Sequence, residues 1–218
     1  MSTHRDGPRH IPVLASTVLD LLSPTPGESV LDVTLGLGGH ASLLLERTAP
    51  DGRYVGLDAD LDNLTTARER LSPWRERLDL RHANFVDLAS LDLPPVDILL
   101  ADLGLSSPHI DDPSKGFTFR ADAPLDMRFD RTSGKTAAQR IAAADEEGLT
   151  SIFSRYGELE RSRTLARRLL SSPPATTADV RAAAEEVYAW RAPSVLPQIF
   201  QALRVWTNEE MAALEALL

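Results

Sequence analysis

A short apolar run at residues 29–34 passes directly into Gly36-Leu37-Gly38-Gly39-His40-Ala41, and a second apolar run at 53–58 ends on Asp58, twenty-two positions after Gly36. Strand, glycine-rich turn, helix and acid-tipped strand in that order leave few folds open. Glycines let a backbone turn tightly and approach a ligand, and a helix that starts there presents unpaired N–H groups to negative charge. The rest of the first half repeats the theme. Helical patterns cover 40–47 and 61–71, a weaker third strand covers 78–82, and a fourth covers 96–102. Asp51-Gly52 and Pro94-Pro95 punctuate the intervals as turns. Strands alternating with helices imply crossover connections, hence an α/β fold with a parallel sheet covered on both faces.

After Asp102 the pattern changes. Residues 105–135 are rich in Ser, Pro, Asp and Gly, and 136–218 read as helices only, at 136–144, 146–156, 162–170, 177–188, 198–206 and 209–218. Thr177 reads as the N-cap of the fourth of these, with Asp179 in its first turn. A block of alternating strands and helices followed by a helical block suggests a core with a helical domain inserted or appended.

Composition narrows the chemistry. The 218 residues include no cysteine, which excludes disulfides, thiolate nucleophiles and zinc–sulfur sites and fits a reducing cytoplasm. No stretch approaches the roughly 18 apolar residues of a membrane helix, and Met1 to Gly7 holds no apolar signal core. The net charge of −9 is not that of a generic nucleic-acid binder, so contact with RNA has to rest on a local basic face. One candidate carries Arg155, Arg161, Arg163, Arg167 and Arg168 against Glu158 and Glu160, five minus two for a local +3. A solvated helix face explains the same run.

The glycine turn together with Asp58 indicates a cofactor of the adenosine type, because a carboxylate at the second strand end can accept two hydrogen bonds from a ribose diol. That pattern does not separate NAD from S-adenosylmethionine. Asp58-Ala59-Asp60-Leu61-Asp62-Asn63 with Glu69 nearly matches a calcium loop, but Asn63 stands where Gly is required and a strand, not a helix, leads in. Asp102 follows the fourth strand. Ligands of parallel sheets bind at the carboxyl ends of strands near the switch point, so Asp102 is expected to face the cleft of Gly38 and Asp58. There it can accept a hydrogen bond from an amino group; a turn-capping aspartate is the plainer alternative. His109, Asp111 and Asp112 make a poor metal set, and Ser106 and Ser107 lack a nucleophile elbow.

Several longer stretches carry a resemblance. They are His10-Ile11-Pro12-Val13-Leu14, Asp32-Val33-Thr34-Leu35-Gly36-Leu37-Gly38-Gly39-His40, Gly56-Leu57-Asp58-Ala59-Asp60, and Asp102 through Asp112. Gly116-Phe117-Thr118-Phe119-Arg120, Pro124-Leu125-Asp126-Met127-Arg128-Phe129-Asp130 and Phe200-Gln201-Ala202-Leu203-Arg204 complete the set. Together they resemble the bacterial 16S ribosomal RNA (cytosine-N4) methyltransferases over nearly the whole chain. The resemblance implies a class I methyltransferase core, Rossmann-like, cofactor-binding and with about four strands here, at 1–104, an inserted all-helical domain with its loop on the substrate side at 105–204, and at 205–218 the start of a helix returning to the core. It implies S-adenosyl-L-methionine as cofactor, held by Gly38, Gly39, His40, Asp58, Phe85, Asp102 and His109, and methyl transfer to the exocyclic N4 amine of a cytosine in the small ribosomal subunit.

In that reading the loop from Gly38 to His40 holds the methionine part, Asp58 the ribose, Phe85 lies against the adenine, and Asp102 is the catalytic group. Asp126 and Arg128 are RNA or domain contacts, or simply a salt-bridged turn. The chain departs from the family at His109, where Gln is usual, and at 194–198, where a His-Pro-Ala-Thr-Arg-like run is usual. The family also continues beyond residue 218 with a further strand. The expectation is therefore an incomplete sheet with an apolar fourth edge, self-association through that edge, and weak activity of the 218 residues alone. An NAD-dependent oxidoreductase and a non-catalytic, ribosome-associated domain are the alternatives from other classes.

Overall fold

The computed structural model describes residues 12–218, so His10 and Ile11 of the first motif lie outside the described residues. The chain divides into two compact units, residues 1–104 and 105–218. The second takes in 205–218 along with the helices before it.

The first unit is the expected parallel sheet. Strands β1 (Val30–Asp32), β2 (Tyr54–Asp58), β3 (Leu78–His82) and β4 (Ile98–Leu100) stand in the order β3-β2-β1-β4. Every pairing is parallel, with Val30 opposite Tyr54 on one side and Ile98 on the other. Helices α1 (Ala15–Leu22), α2 (Gly39–Arg47) and α3 (Leu61–Arg70) complete it. Val30, Leu35, Leu44, Leu45, Tyr54, Leu64, Leu71 and Ile98 form the core, and Val18, Leu19 and Leu22 of α1 pack on it. Sequence periodicity did not mark α1, whose chain enters through Leu14 in the left-handed region with no capping side chain to signal the start.

Two strands are shorter than their apolar runs. β1 leaves the ladder after Asp32 because that carboxylate captures the Thr34 N–H at 2.9 Å and bends the chain. β4 spans only Ile98–Leu100 and alternates. Ile98 and Leu100 are buried, while Leu99 is 48% exposed.

The second unit is helical, with α4 (Ser107–Asp111), α5 (Ala137–Ala142), α6 (Glu146–Gly157), α7 (Ser162–Ser171), α8 (Thr177–Tyr188), α9 (Ala192–Thr207) and α10 (Glu210–Leu217). Leu149 and Phe153 of α6, Leu165 of α7, Ala184 of α8 and Ile199 and Leu203 of α9 meet in one core. The N-cap of α8 is Thr176, not Thr177. Thr176 and Asp179 form the capping box, while Thr177 is wholly buried, its hydroxyl donating to the Ala121 carbonyl at 2.7 Å. Helix α9 starts six residues before the expected 198. Pro193 sits in its first turn, where a missing N–H costs nothing, and Pro197 is carried inside.

The irregular stretch before α5 is also fixed. Gly116 has φ +79°, and a Cβ there would lie 2.5 Å from the Pro124 carbonyl oxygen, so only glycine fits. Its neighbours Phe117, Leu125 and Met127 enter the helical core. Residues 205–218 fold onto this unit. Asn208 donates to the Met127 carbonyl and accepts from the Phe129 N–H, and Glu209 meets Arg140.

Candidate active site

All loops that matter in the first unit leave the carboxyl ends of the strands. β1 has β2 on one side and β4 on the other, so the loops after β1 and β4 diverge at the switch point, where open α/β sheets bind ligands. The loop after β1 carries Gly36, Gly38, Gly39 and His40; Asp58 ends β2; Phe85 follows β3 in a short 3₁₀ turn; Asp102 follows β4.

The glycines meet different demands. Gly36 (φ +54°) and Gly38 (φ +73°) are left-handed, and a Cβ on Gly38 would lie 3.0 Å from Leu71 Cδ1 in the core. Gly39 lets Pro12 approach, 3.2 Å from where a Cβ would stand. Gly38 precedes α2 without a side chain to cap it, which leaves the first-turn amides available to a ligand oxygen.

Asp58 does more than the sequence suggested. One carboxylate oxygen accepts the Gly36 N–H at 2.7 Å and the other the Asp60 N–H at 2.8 Å. It ties the glycine loop to β2, and the Asn63 amide of α3 donates to both of its oxygens at 3.4 Å. Its two backbone donors show the calcium-like spacing at work as loop architecture.

Asp102 is exposed, with 57% of its side chain open, and its carboxylate stands 3.7 Å from Nε2 of the buried His40. Its backbone N–H donates to Thr34 Oγ1 at 2.6 Å. Thr34 in turn leans on Asp32, and Tyr54 donates to the same carboxylate at 2.7 Å. Burial raises the Asp32 carboxyl above the ordinary aspartate value, partly offset by the Tyr54 and Thr34 hydrogen bonds and by the charge of His40. Burial and the Asp32 charge push the Tyr54 phenol well up. None of Asp32, Thr34 and Tyr54 was singled out from the sequence. A tyrosine opening an otherwise aliphatic strand is the signal, since a buried hydroxyl needs a partner.

The remaining residues fall in the second unit. His109 is buried there, 5.1 Å from the Phe117 ring and 5.0 Å from the Phe129 ring, with Nδ1 2.9 Å from Ser106 Oγ. Asp126 and Arg128 form the salt-bridged turn, two-pronged at 2.6 and 2.9 Å. The basic run is largely paired. Arg163 and Arg167 share Glu146, Arg168 holds Glu186, and Arg161 donates to the Val187 carbonyl. Among the described residues no group of three acidic or histidine side chains is placed to hold a metal, and no helix is long and apolar enough to cross a membrane.

A family model described as the MraW methylase family matches residues 7–218. The chain belongs to the MraW methylase family. Among individual relatives, the ribosomal RNA small subunit methyltransferase H of Syntrophotalea carbinolica is 43% identical, covering 94% of this chain and 69% of that protein. The proteins of the same name from Cyanothece sp. and Thermobifida fusca are 43% and 42% identical, covering 96% and 97% of this chain and 71% and 68% of theirs.

As in other MraW-family methylases, the cofactor is S-adenosyl-L-methionine, with the Rossmann-like sheet as its scaffold. The donor set fits it. Uncapped amides at α2 suit its carboxylate, and the Asp58 carboxylate at the end of β2 is an acceptor chemically suited to ribose hydroxyls.

Proposed function

We propose that this MraW-family chain methylates the exocyclic N4 amine of a cytosine in 16S ribosomal RNA of the small subunit, in the cytoplasm. The observation that carries the reading is Asp102, an exposed carboxylate two residues beyond β4, the strand adjacent to the one that leads into the glycine loop. Relatives named for the small-subunit RNA supply the substrate class.

In this proposal the amides opening α2, Asp58 and Phe85 bind and orient the cofactor, as the family resemblance implies. When bound, S-adenosylmethionine supplies a sulfonium-activated methyl group, which leaves as the sulfur becomes a neutral thioether. Alignment and electrostatics are then the protein's main contribution. A cytosine amine is a weak nucleophile because its lone pair is delocalised into the ring. Asp102 accepts a hydrogen bond from one amine proton, localises the lone pair on nitrogen, and is the acceptor for the proton that nitrogen sheds once the N–C bond forms. The target base has to leave its stack to reach such a carboxylate.

RNA contact rests on the second unit. Residues 1–104 hold nine Lys and Arg against sixteen Asp and Glu, and 105–218 hold fourteen against sixteen. Arg163 and Arg167, both on Glu146, leave one positive charge uncompensated.

Small subunits lacking the modification, incubated with methyl-labelled cofactor and digested to nucleosides, should yield N4-methylcytidine. Asp102→Ala should abolish the label without lowering the melting temperature. Label in another nucleoside, or in undiminished amount with Asp102→Ala, would overturn the assignment.

A further inference from the structure

Asp102 lies beyond the last paired residue of β4, in a run of three exposed residues that ends at Gly104 (φ +138°), where a Cβ would meet nothing within 4 Å. Nothing in the strand ladder fixes the direction of its carboxylate, yet an acceptor that must meet one amine proton needs a fixed direction. We infer that Tyr54, Asp32 and Thr34 form a buried positioning relay that locks the backbone of Asp102. The inference rests on Asp102 being the amine acceptor.

The polarity of the relay follows from its proton count. The Asp102 N–H can only donate, so Thr34 Oγ1 accepts it at 2.6 Å. The one hydroxyl proton of Thr34 is then free for Asp32 Oδ1 at 3.3 Å, and the Thr34 N–H reaches the same oxygen at 2.9 Å. The Tyr54 hydroxyl donates to Asp32 Oδ2 at 2.7 Å. Both hydroxyls and the Thr34 N–H converge on one carboxylate, which is 1% exposed. Tyr54 can reach it because it sits opposite Val30, so its side chain lies on the same face of the sheet as Asp32, two residues further along β1.

The relay thus links β2, β1 and the loop after β4. His40 of α2 stands 3.7 Å from the Asp102 carboxylate, too distant for a hydrogen bond. The groups facing Asp32 are Tyr54 from β2, Thr34 from its own loop and His40 from α2.

Thr34→Val removes the hydroxyl at nearly constant shape, Thr34→Ser restores it, and Tyr54→Phe removes the far donor. Exchange of the Asp102 amide, read by NMR on the cofactor-free protein, should be at least about tenfold faster with Thr34→Val, the equivalent of the roughly 1.4 kcal/mol of one hydrogen bond, and near wild type with Thr34→Ser. In methyl transfer, Thr34→Val should lower kcat by about tenfold with KM for the small subunit and cofactor affinity within about twofold. Tyr54→Phe should move the acid limb of the kcat profile to higher pH, because the buried Asp32 carboxyl loses a donor that favours its charged form.

An Asp102 amide that exchanges equally in all four proteins overturns the relay. If Asp102→Ala abolishes transfer while Thr34→Val leaves kcat unchanged, the relay fails and the role of Asp102 stands. If Asp102→Ala keeps full transfer, the catalytic reading fails, and the exchange data alone decide whether the relay holds the loop.

Discussion

Asp32 of the sheet unit and Asp126 of the helical unit are both buried, and the two are held in opposite ways. Asp32 of the sheet unit is 1% exposed and has only hydroxyl and amide donors, from Tyr54 and Thr34. Asp126 of the helical unit is 7% exposed and is gripped by the Arg128 guanidinium, with Arg131 at 3.6 Å. Burial pushes both carboxyls upward. At Asp32 burial prevails and the value stays raised. At Asp126 the Arg128 bonds and the charges of Arg128 and Arg131 outweigh burial, and the value ends below the ordinary one. The helical unit neutralises its buried charge to hold a turn. The sheet unit leaves its buried charge on neutral donors and carries seven more anions than cations overall, a balance suited to a cofactor whose reactive atom is a sulfonium.

The largest expected effect breaks the helical side of this contrast. Asp126→Ala leaves Arg128 without its carboxylate and should cost about 3 kcal/mol in urea unfolding; a loss under about 1 kcal/mol would mean that the turn is held by its backbone alone. On the sheet side, Tyr54→Phe takes one donor from a fully buried carboxylate and should cost about 2 kcal/mol by the same measurement. Equal stability would show that water reaches Asp32. Gly38→Ala sharpens the comparison from the glycine loop. The φ of +73° and the 3.0 Å approach to Leu71 predict a loss of about 1–2 kcal/mol together with weaker binding of S-adenosylhomocysteine in calorimetry.

The two aspartates should also respond to acid with opposite signs. Asp126 has a depressed folded value, so its contribution is full above the unfolded value near 4 and is lost as pH falls through the folded one. Asp32 has a raised folded value, so its contribution is full below about 4 and declines as pH rises through the folded one. Melting temperature against pH should therefore flatten on the acid side with Asp126→Asn. With Asp32→Asn it should flatten above about pH 4 instead. Matching profiles for the two variants would refute the contrast. The smallest effect is at the sheet edge. Leu99→Lys should change stability by no more than about 0.5 kcal/mol, since Leu99 is half exposed, while reducing any self-association of the 218 residues seen by light scattering.

What could be read in advance was what local spacing encodes. The four strands follow from short apolar runs, α3 and α8 from helical periodicity, and the glycine loop from a turn that needs left-handed residues. α8 begins and ends at the expected 177 and 188. Capping and prolines read less well. Thr176 and Thr177 are chemically the same, and only the hydrogen bonds of the Thr177 hydroxyl to the Ala121 carbonyl and the Ala123 N–H decide which one is buried and which one caps. The helix expected from 198 begins at 192 as α9, because burial of Val195, Leu196 and Ile199 outweighs the donor missing at Pro197.

Of the candidate site, the sequence by itself gave the place of the glycine loop after the first strand, of Asp58 at the end of the second and of Asp102 just past the fourth. Their positions depend on where each strand stops, and that is written locally. Only the tertiary structure decided what those residues touch. Asp58 staples the glycine loop because β1 and β2 lie side by side. Thr34 reaches Asp102 because β4 pairs with β1 across sixty-eight residues of chain. His109 is taken up by phenylalanines 117 and 129 of its own unit. Hydrogen bonds of this kind join residues remote in sequence. They exist only once the sheet register has brought the partners within about 3 Å, and no periodicity along the chain encodes that distance.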